Sequence, residues 1–314
     1  MSSTCYQRNT MPTNDGHEVY YELNGNPSGI PVLVLHGGPG AGLASNYTAL
    51  FDLDTYHVIG FDQRGCGRST PFLSTTANTT AHLLSDITRL RQLLGIEQWL
   101  LFGGSWGTTL ALLAAINEPE TVTGMILRGV FLARRSDFEW FLAPEGGAAQ
   151  VYPDAYQQFV AGIPQVTDLT SVLTYYGNAF NSIDVTQRHE AASRWYRWEE
   201  ATARVHPITT DSGQLNGHRG VLSLALFEWH YVANQCFIAE NYILQHACNI
   251  SHIPGKIIHG RCDSVCKPEG AFALHQHWQN SELQFIAGAG HSSTEQGIRM
   301  ALRDAINDFK STLQ

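Results

Sequence analysis

Trp99-Leu-Leu-Phe-Gly-Gly-Ser-Trp-Gly-Thr-Thr-Leu-Ala-Leu-Leu-Ala-Ala115 is the stretch on which the fold turns. Trp99 to Phe102 is apolar and of strand length, and Thr108 to Ala115 is built from residues that suit a buried helix. Between them, Gly103-Gly-Ser-Trp-Gly107 has the G-x-S-x-G form, and a strand before it with a helix after it is the context that gives the form meaning. Glycines around the serine permit a sharp turn that pushes the side chain outward in a strained backbone conformation. The helix N-terminus beneath favours negative charge developing above it. Ser105 is therefore the expected nucleophile.

Working outward, strand-length apolar runs alternate with helix-period segments. Pro31 to His36, His57 to Asp62, Met125 to Arg128, Lys256 to His259 and Leu283 to Ile286 repeat the character of the first strand. This is the pattern of an α/β chain with a mostly parallel, doubly wound sheet covered on both faces. Leu83, Leu84, Ile87, Leu90, Leu93 and Leu94 share one helical face, with Thr79 or Thr80 as N-cap and Gly95 as the stop. From about Ser136 to Cys248 the alternation ceases and Trp, Tyr, Phe and Ala dominate. Residues 136–248 are expected to form an inserted helical cap, and residues 1–135 with 249–314 the core domain. Open α/β sheets bind ligands at the carboxyl ends of their strands, where such a cap would sit.

An activated serine needs a base and an acid to orient that base, and after an elbow of this kind they follow in the order acid, then histidine. Asp263 stands just beyond the strand Lys256 to His259, and His291 just beyond the strand Leu283 to Ile286. Their strand-end positions single them out. His36-Gly-Gly-Pro-Gly40 closes another strand with main-chain N–H groups free to meet a ligand. The N–H of Gly38, with Gly37 as the alternative, and that of Trp106 are the expected oxyanion donors.

Composition narrows the classes. The 314 residues are 43% hydrophobic and 15% charged, enough for a large core. A net charge of −9 without a basic run argues against nucleic acid or an anionic membrane as partner. No apolar run approaches the roughly 20 residues of a membrane helix. The start of the chain, Met-Ser-Ser-Thr-Cys-Tyr-Gln-Arg, is polar and carries no secretory pattern, and six sparse cysteines make no disulfide framework, so a cytoplasmic protein is expected. Asp62-Gln-Arg-Gly-Cys-Gly-Arg-Ser69 lacks the G-K-[ST] ending of a phosphate loop. It is expected to be structural, its arginines bracing the site's rim. His275 and His277, two apart on a helix, point in different directions and make a poor metal pair.

Together with Leu127-Arg-Gly-Val-Phe131, Trp195-Tyr-Arg-Trp-Glu199, Glu228-Trp-His-Tyr231 and Gly290-His-Ser292, these motifs resemble those of the proline iminopeptidases, a family of α/β-hydrolases. The resemblance runs from about Tyr20 to Phe309. It implies a serine exopeptidase that releases N-terminal proline from peptides, without metal or organic cofactor, through Ser105, Asp263 and His291. It also implies that Glu199 and Glu228 hold the substrate's free amine, and that Phe131 and Phe141 line the proline pocket. The rival expectation is an esterase or amidase of the same fold acting on uncharged acyl groups. The chain departs from the family pattern at Val232, where a phenylalanine is usual, at Cys262, usually tyrosine, and at Lys267, which displaces the usual proline to Pro268. Cys266 matches a family cysteine near the site.

Overall fold

The computed structural model describes residues 5–205 and 217–313; the Met1–Thr4 segment read above for a secretory pattern lies outside them. The strands are β1 (Cys5–Pro12), β2 (Glu18–Gly25), β3 (Ile30–Leu35), β4 (Tyr56–Phe61), β5 (Trp99–Gly104), β6 (Val122–Arg128), β7 (Gly255–Gly260) and β8 (Ser281–Ile286). They form one sheet in the order β1-β2-β4-β3-β5-β6-β7-β8. From β4 to β8 neighbours run parallel, whereas β1 pairs antiparallel with β2 and β2 antiparallel with β4.

The inner strands β3 to β7 are largely apolar on both faces because both faces are covered. Leu33, Leu35, Leu101, Met125, Leu127 and Ile257 point into one core cluster. Val32, Val34, Leu100, Ile126 and Ile258, the alternate residues, point into another. Each such side chain contributes about 1.5–3 kcal/mol on burial, so a one-residue slip in register would exchange the two faces wholesale.

The helices are α1 (Thr80–Leu93), α2 (Trp106–Asn117), α3 (Arg135–Leu142), α4 (Gly147–Val151), α5 (Pro153–Phe159), α6 (Leu169–Phe180), α7 (Val185–Thr202), α8 (Gly217–Ala233), α9 (Tyr242–His246), α10 (Pro268–His277) and α11 (Gln296–Leu313). In α2, apolar nearly all round, ten residues are buried, as a helix without a polar face must be. Amphipathic α11 lays Ile298, Leu302, Ile306 and Phe309 on the opposite face of the sheet. Helices α3 to α9 all fall between β6 and β7. Within that insertion Phe159 stacks on both Tyr176 and Trp198, and Trp195 meets Phe159 and Tyr176 edge-on. The insertion thus adds an aromatic cluster to the core on that face of the sheet.

Two strands escape the sequence reading. β1 is exposed along most of its length, and β2 buries Glu22 and Asn24, so neither shows the apolar run that marks the inner strands.

Candidate active site

Ser105 occupies the turn between β5 and α2 with φ 56° and ψ −125°. An L-residue held there stores about 1–3 kcal/mol of strain. What imposes it is the packing: a Cβ on Gly107 would stand 2.0 Å from the Leu35 carbonyl oxygen. The helix start therefore presses against the end of β3, and the Ser105 N–H is tied to the Arg128 carbonyl at 2.9 Å. Within the site, the Cys266 thiol lies within hydrogen-bonding reach of the Ser105 side chain.

Asp263 is buried beyond β7. Its Oδ1 accepts the N–H groups of Val265 at 3.0 Å and Cys266 at 2.8 Å. Its Oδ2 accepts from His291 Nδ1 at 2.7 Å. Burial alone would raise this carboxyl, but His291, with its hydrogen bond, and His259 hold it below the usual carboxylate range. The loop carrying His291 is fastened to the end of α7, since the N–H groups of His291 and Ser292 both donate to the Ala203 carbonyl at 2.9 Å. Gly129 makes room for the ring: a Cβ there would lie 2.8 Å from His291 Cε1.

The other ring nitrogen faces Arg128, whose Nη1 donates to His291 Nε2 at 3.1 Å and to the His291 carbonyl at 2.9 Å. An acceptor at Nε2 and a donor at Nδ1 define one neutral tautomer, the one a general base requires. Among the described residues no hydrogen bond joins Ser105 to His291. Both nevertheless line one cavity, with Glu199 and Arg128.

Glu199 on α7 and Glu228 on α8 come together, their carboxyls within hydrogen-bonding reach of each other. Burial first, then the neighbouring Glu200, pushes Glu199 up to about 7, with Arg128 acting in the opposite sense. Burial and Glu199 push Glu228 well up too, against the indole N–H that Trp195 donates to it. Glu199 Oε2 is buried and meets no donor. A buried acceptor without a partner, beside a second carboxyl, is suited to an incoming cation with N–H groups.

Phe131 and Phe141 line a small apolar cavity together with Ser105, Glu228, Val232 and Cys266. Phe141 is braced by stacking on Trp198 at 5.7 Å. Gly37 and Gly38 both border the cavity of Ser105, and Trp106 is the first residue of α2, where helix geometry leaves N–H groups free.

The arginines of the Asp62–Ser69 loop do not brace the rim. Arg64 is buried against Asp86 and Asp15, and Arg68 reaches Asp62 and Glu22. Gln63 does the bracing instead: its amide donates to the His36 carbonyl at 2.9 Å and accepts the Trp106 indole N–H at 3.0 Å. One side chain thus couples the two segments that carry the expected oxyanion donors. Neither Gln63, Arg128 nor Trp195 stood out in the sequence, though each lies inside a motif quoted above.

Residues 30–297 match the family model of the alpha/beta hydrolase fold. A proline iminopeptidase from Xylella fastidiosa is 41% identical over 310 residues, covering 98% of this chain and 97% of that protein. One from Arabidopsis thaliana is 39% identical, covering 98% and 81% respectively. Among solved structures, proline iminopeptidase from Mycobacterium smegmatis superposes with a TM-score of 0.63 at 19% identity, covering 98% of this chain and 100% of that one. The esterase RhEst1 from a Rhodococcus species gives 0.65 at 18% identity, covering 98% and 99%. At such identities these two structures speak for the fold alone.

Proposed function

The chain belongs to the proline iminopeptidases within the α/β-hydrolase fold family, and from that footing we propose that it releases N-terminal proline from peptides with Ser105 as nucleophile, His291 as base and Asp263 as the acid orienting the base. The observation that carries the reading is the buried pair Glu199 and Glu228, with one acceptor unpartnered, in cavities that also contain Ser105. A free secondary ammonium supplies the charge and the N–H groups that this pair lacks, and measures one residue from the chain end to the serine.

In this account the amine docks on the two carboxylates and the proline ring enters the cavity of Phe131 and Phe141. His291 Nε2 exchanges its contact with Arg128 for the Ser105 hydroxyl, consistent with catalytic hydrogen bonds that tighten only on substrate binding. Ser105 Oγ attacks the prolyl carbonyl as Nε2 takes its proton. The oxyanion is held by the N–H groups of Trp106 and Gly38. The carbonyl–nitrogen bond then breaks, Nε2 returns the proton to the leaving amine, and water hydrolyses the prolyl ester by the reverse route. Residues 136–248 serve as the cap over this site. No helix among the described residues is long and apolar enough to cross a membrane. The cytoplasm is the proposed compartment, in keeping with six unpaired cysteines.

The test compares prolyl-naphthylamide with its N-acetyl form, in wild type and Ser105→Ala. The reading expects turnover of the free-amine substrate only, and loss of several orders of magnitude in the variant. Equal rates on both substrates would favour an esterase or amidase instead.

A further inference from the structure

His259 is the penultimate residue of β7, with none of its side chain exposed, and it faces Asp263. Its Nδ1 accepts the Val130 N–H at 3.1 Å, so that nitrogen carries no proton. The proton is therefore on Nε2, which donates to the Cys266 carbonyl at 2.9 Å. The same Nε2 stands 3.3 Å from Asp263 Oδ2, the oxygen that receives His291.

We infer that His259 is a positioning residue for the reaction: a permanently neutral histidine whose Nε2–H holds the Cys266 carbonyl while standing 3.3 Å from Asp263 Oδ2, and whose Nδ1 takes the Val130 N–H, so that the ring ties the acid's loop to the segment that follows β6. The inference rests on the catalytic reading of Asp263 and His291. Two histidines share one carboxylate oxygen, and they have opposite duties. His291 must gain and lose a proton each turnover, whereas His259 is held from both sides in one tautomer and has no acceptor left to become a base. The groups facing this centre are Asp263, His291, Arg128 at the end of β6 and the Cys266 thiol, with the Phe285 ring edge-on at 6.1 Å from β8. Desolvation and the cation of Arg128 both oppose a charge on His259, and only Asp263 and the Cys266 carbonyl favour one.

Two substitutions separate support from scaffolding. His259→Asn keeps an acceptor for the Val130 N–H but loses the donor at the ε position. His259→Gln can place an N–H there. The expected result for His259→Asn is a kcat on prolyl-naphthylamide lowered roughly tenfold or more with KM nearly unchanged. His259→Gln should restore most of the wild-type kcat. In wild type, nitrogen-15 NMR of the histidines should show the residue 259 ring as the Nε2–H tautomer across neutral pH, which checks the inference even if a variant fails to fold. Wild-type kcat in a folded His259→Asn, or a residue 259 ring that titrates with activity, would overturn it. Retained activity in Asp263→Asn would instead mean that the triad reading itself has failed.

Discussion

Arg128 Nη1 sits 3.1 Å from His291 Nε2, the nitrogen that takes the serine's proton in the proposed mechanism. The same guanidinium lies against the elbow at Gly104 and in the field of Glu199. One partly buried cation therefore touches His291 and the turn of Ser105 and acts electrostatically on Glu199. It is a natural link between substrate docking and release of the base: an ammonium arriving at the carboxylate pair repels Arg128 from the region it shares with His291.

Replacing Arg128 with methionine removes the cation that offsets burial at Glu199. Its carboxyl should then rise above about 7, leaving less negative charge for the substrate at neutral pH. KM for prolyl-naphthylamide at pH 7 is expected to increase roughly tenfold or more, while thermal melting shows the fold retained. Steady-state kinetics at pH 7 and 8 check this, and an unchanged KM would disconnect Arg128 from the amine site.

The same carboxyl sets a pH dependence in the wild type. Protonation weakens the pair's hold on a cation, so KM should climb as pH falls through about 7. Glu199→Gln should impose that loss at every pH, raising KM by roughly a hundredfold, as for a buried charge deprived of its counterpart. Michaelis profiles from pH 5.5 to 8.5 separate this from any change in kcat.

Gly107→Ala forces a Cβ to within 2.0 Å of a main-chain oxygen at Leu35. The backbone must yield, at a cost of about 3 kcal/mol or more. Gly288→Ala meets nothing within 4 Å but sits at φ +67°, so about 1 kcal/mol is expected from strain alone. Chemical denaturation of the two variants gives the comparison directly.

Cys266 is buried, and burial together with Asp263 pushes its thiol well up, so it is a poor nucleophile at neutral pH. Small mercurials should still inhibit by occupying the space beside Ser105, and Cys266→Ser should keep most activity while becoming insensitive. Abolished turnover in that variant would assign the thiol a role in chemistry.

The loops of Ser105, Asp263 and His291 were legible because each follows a strand and ends in glycine or a turn, a pattern set by local sequence. Asp263 and His291, 28 positions apart, are brought to hydrogen-bonding distance by β7 and β8 lying side by side. The glutamates were legible only by resemblance. On a helix, Glu199 reads as solvent-facing, and its burial arises from packing of α7 against α8, invisible to local periodicity. Arg128 and His259 were missed for a related reason: a polar residue at the end of an apolar run reads as the strand's boundary rather than as a buried partner. β1 was missed because an exposed edge strand carries polar residues on both faces.

The most direct test of the account is to trap the acyl-enzyme. Wild-type protein mixed with an activated prolyl ester, quenched in acid within the first turnover and mapped by peptide mass spectrometry, should carry one prolyl group on Ser105. Ser105→Ala should carry none. A prolyl group on Cys266 or elsewhere, or rapid turnover of the Ser105→Ala protein, would contradict it.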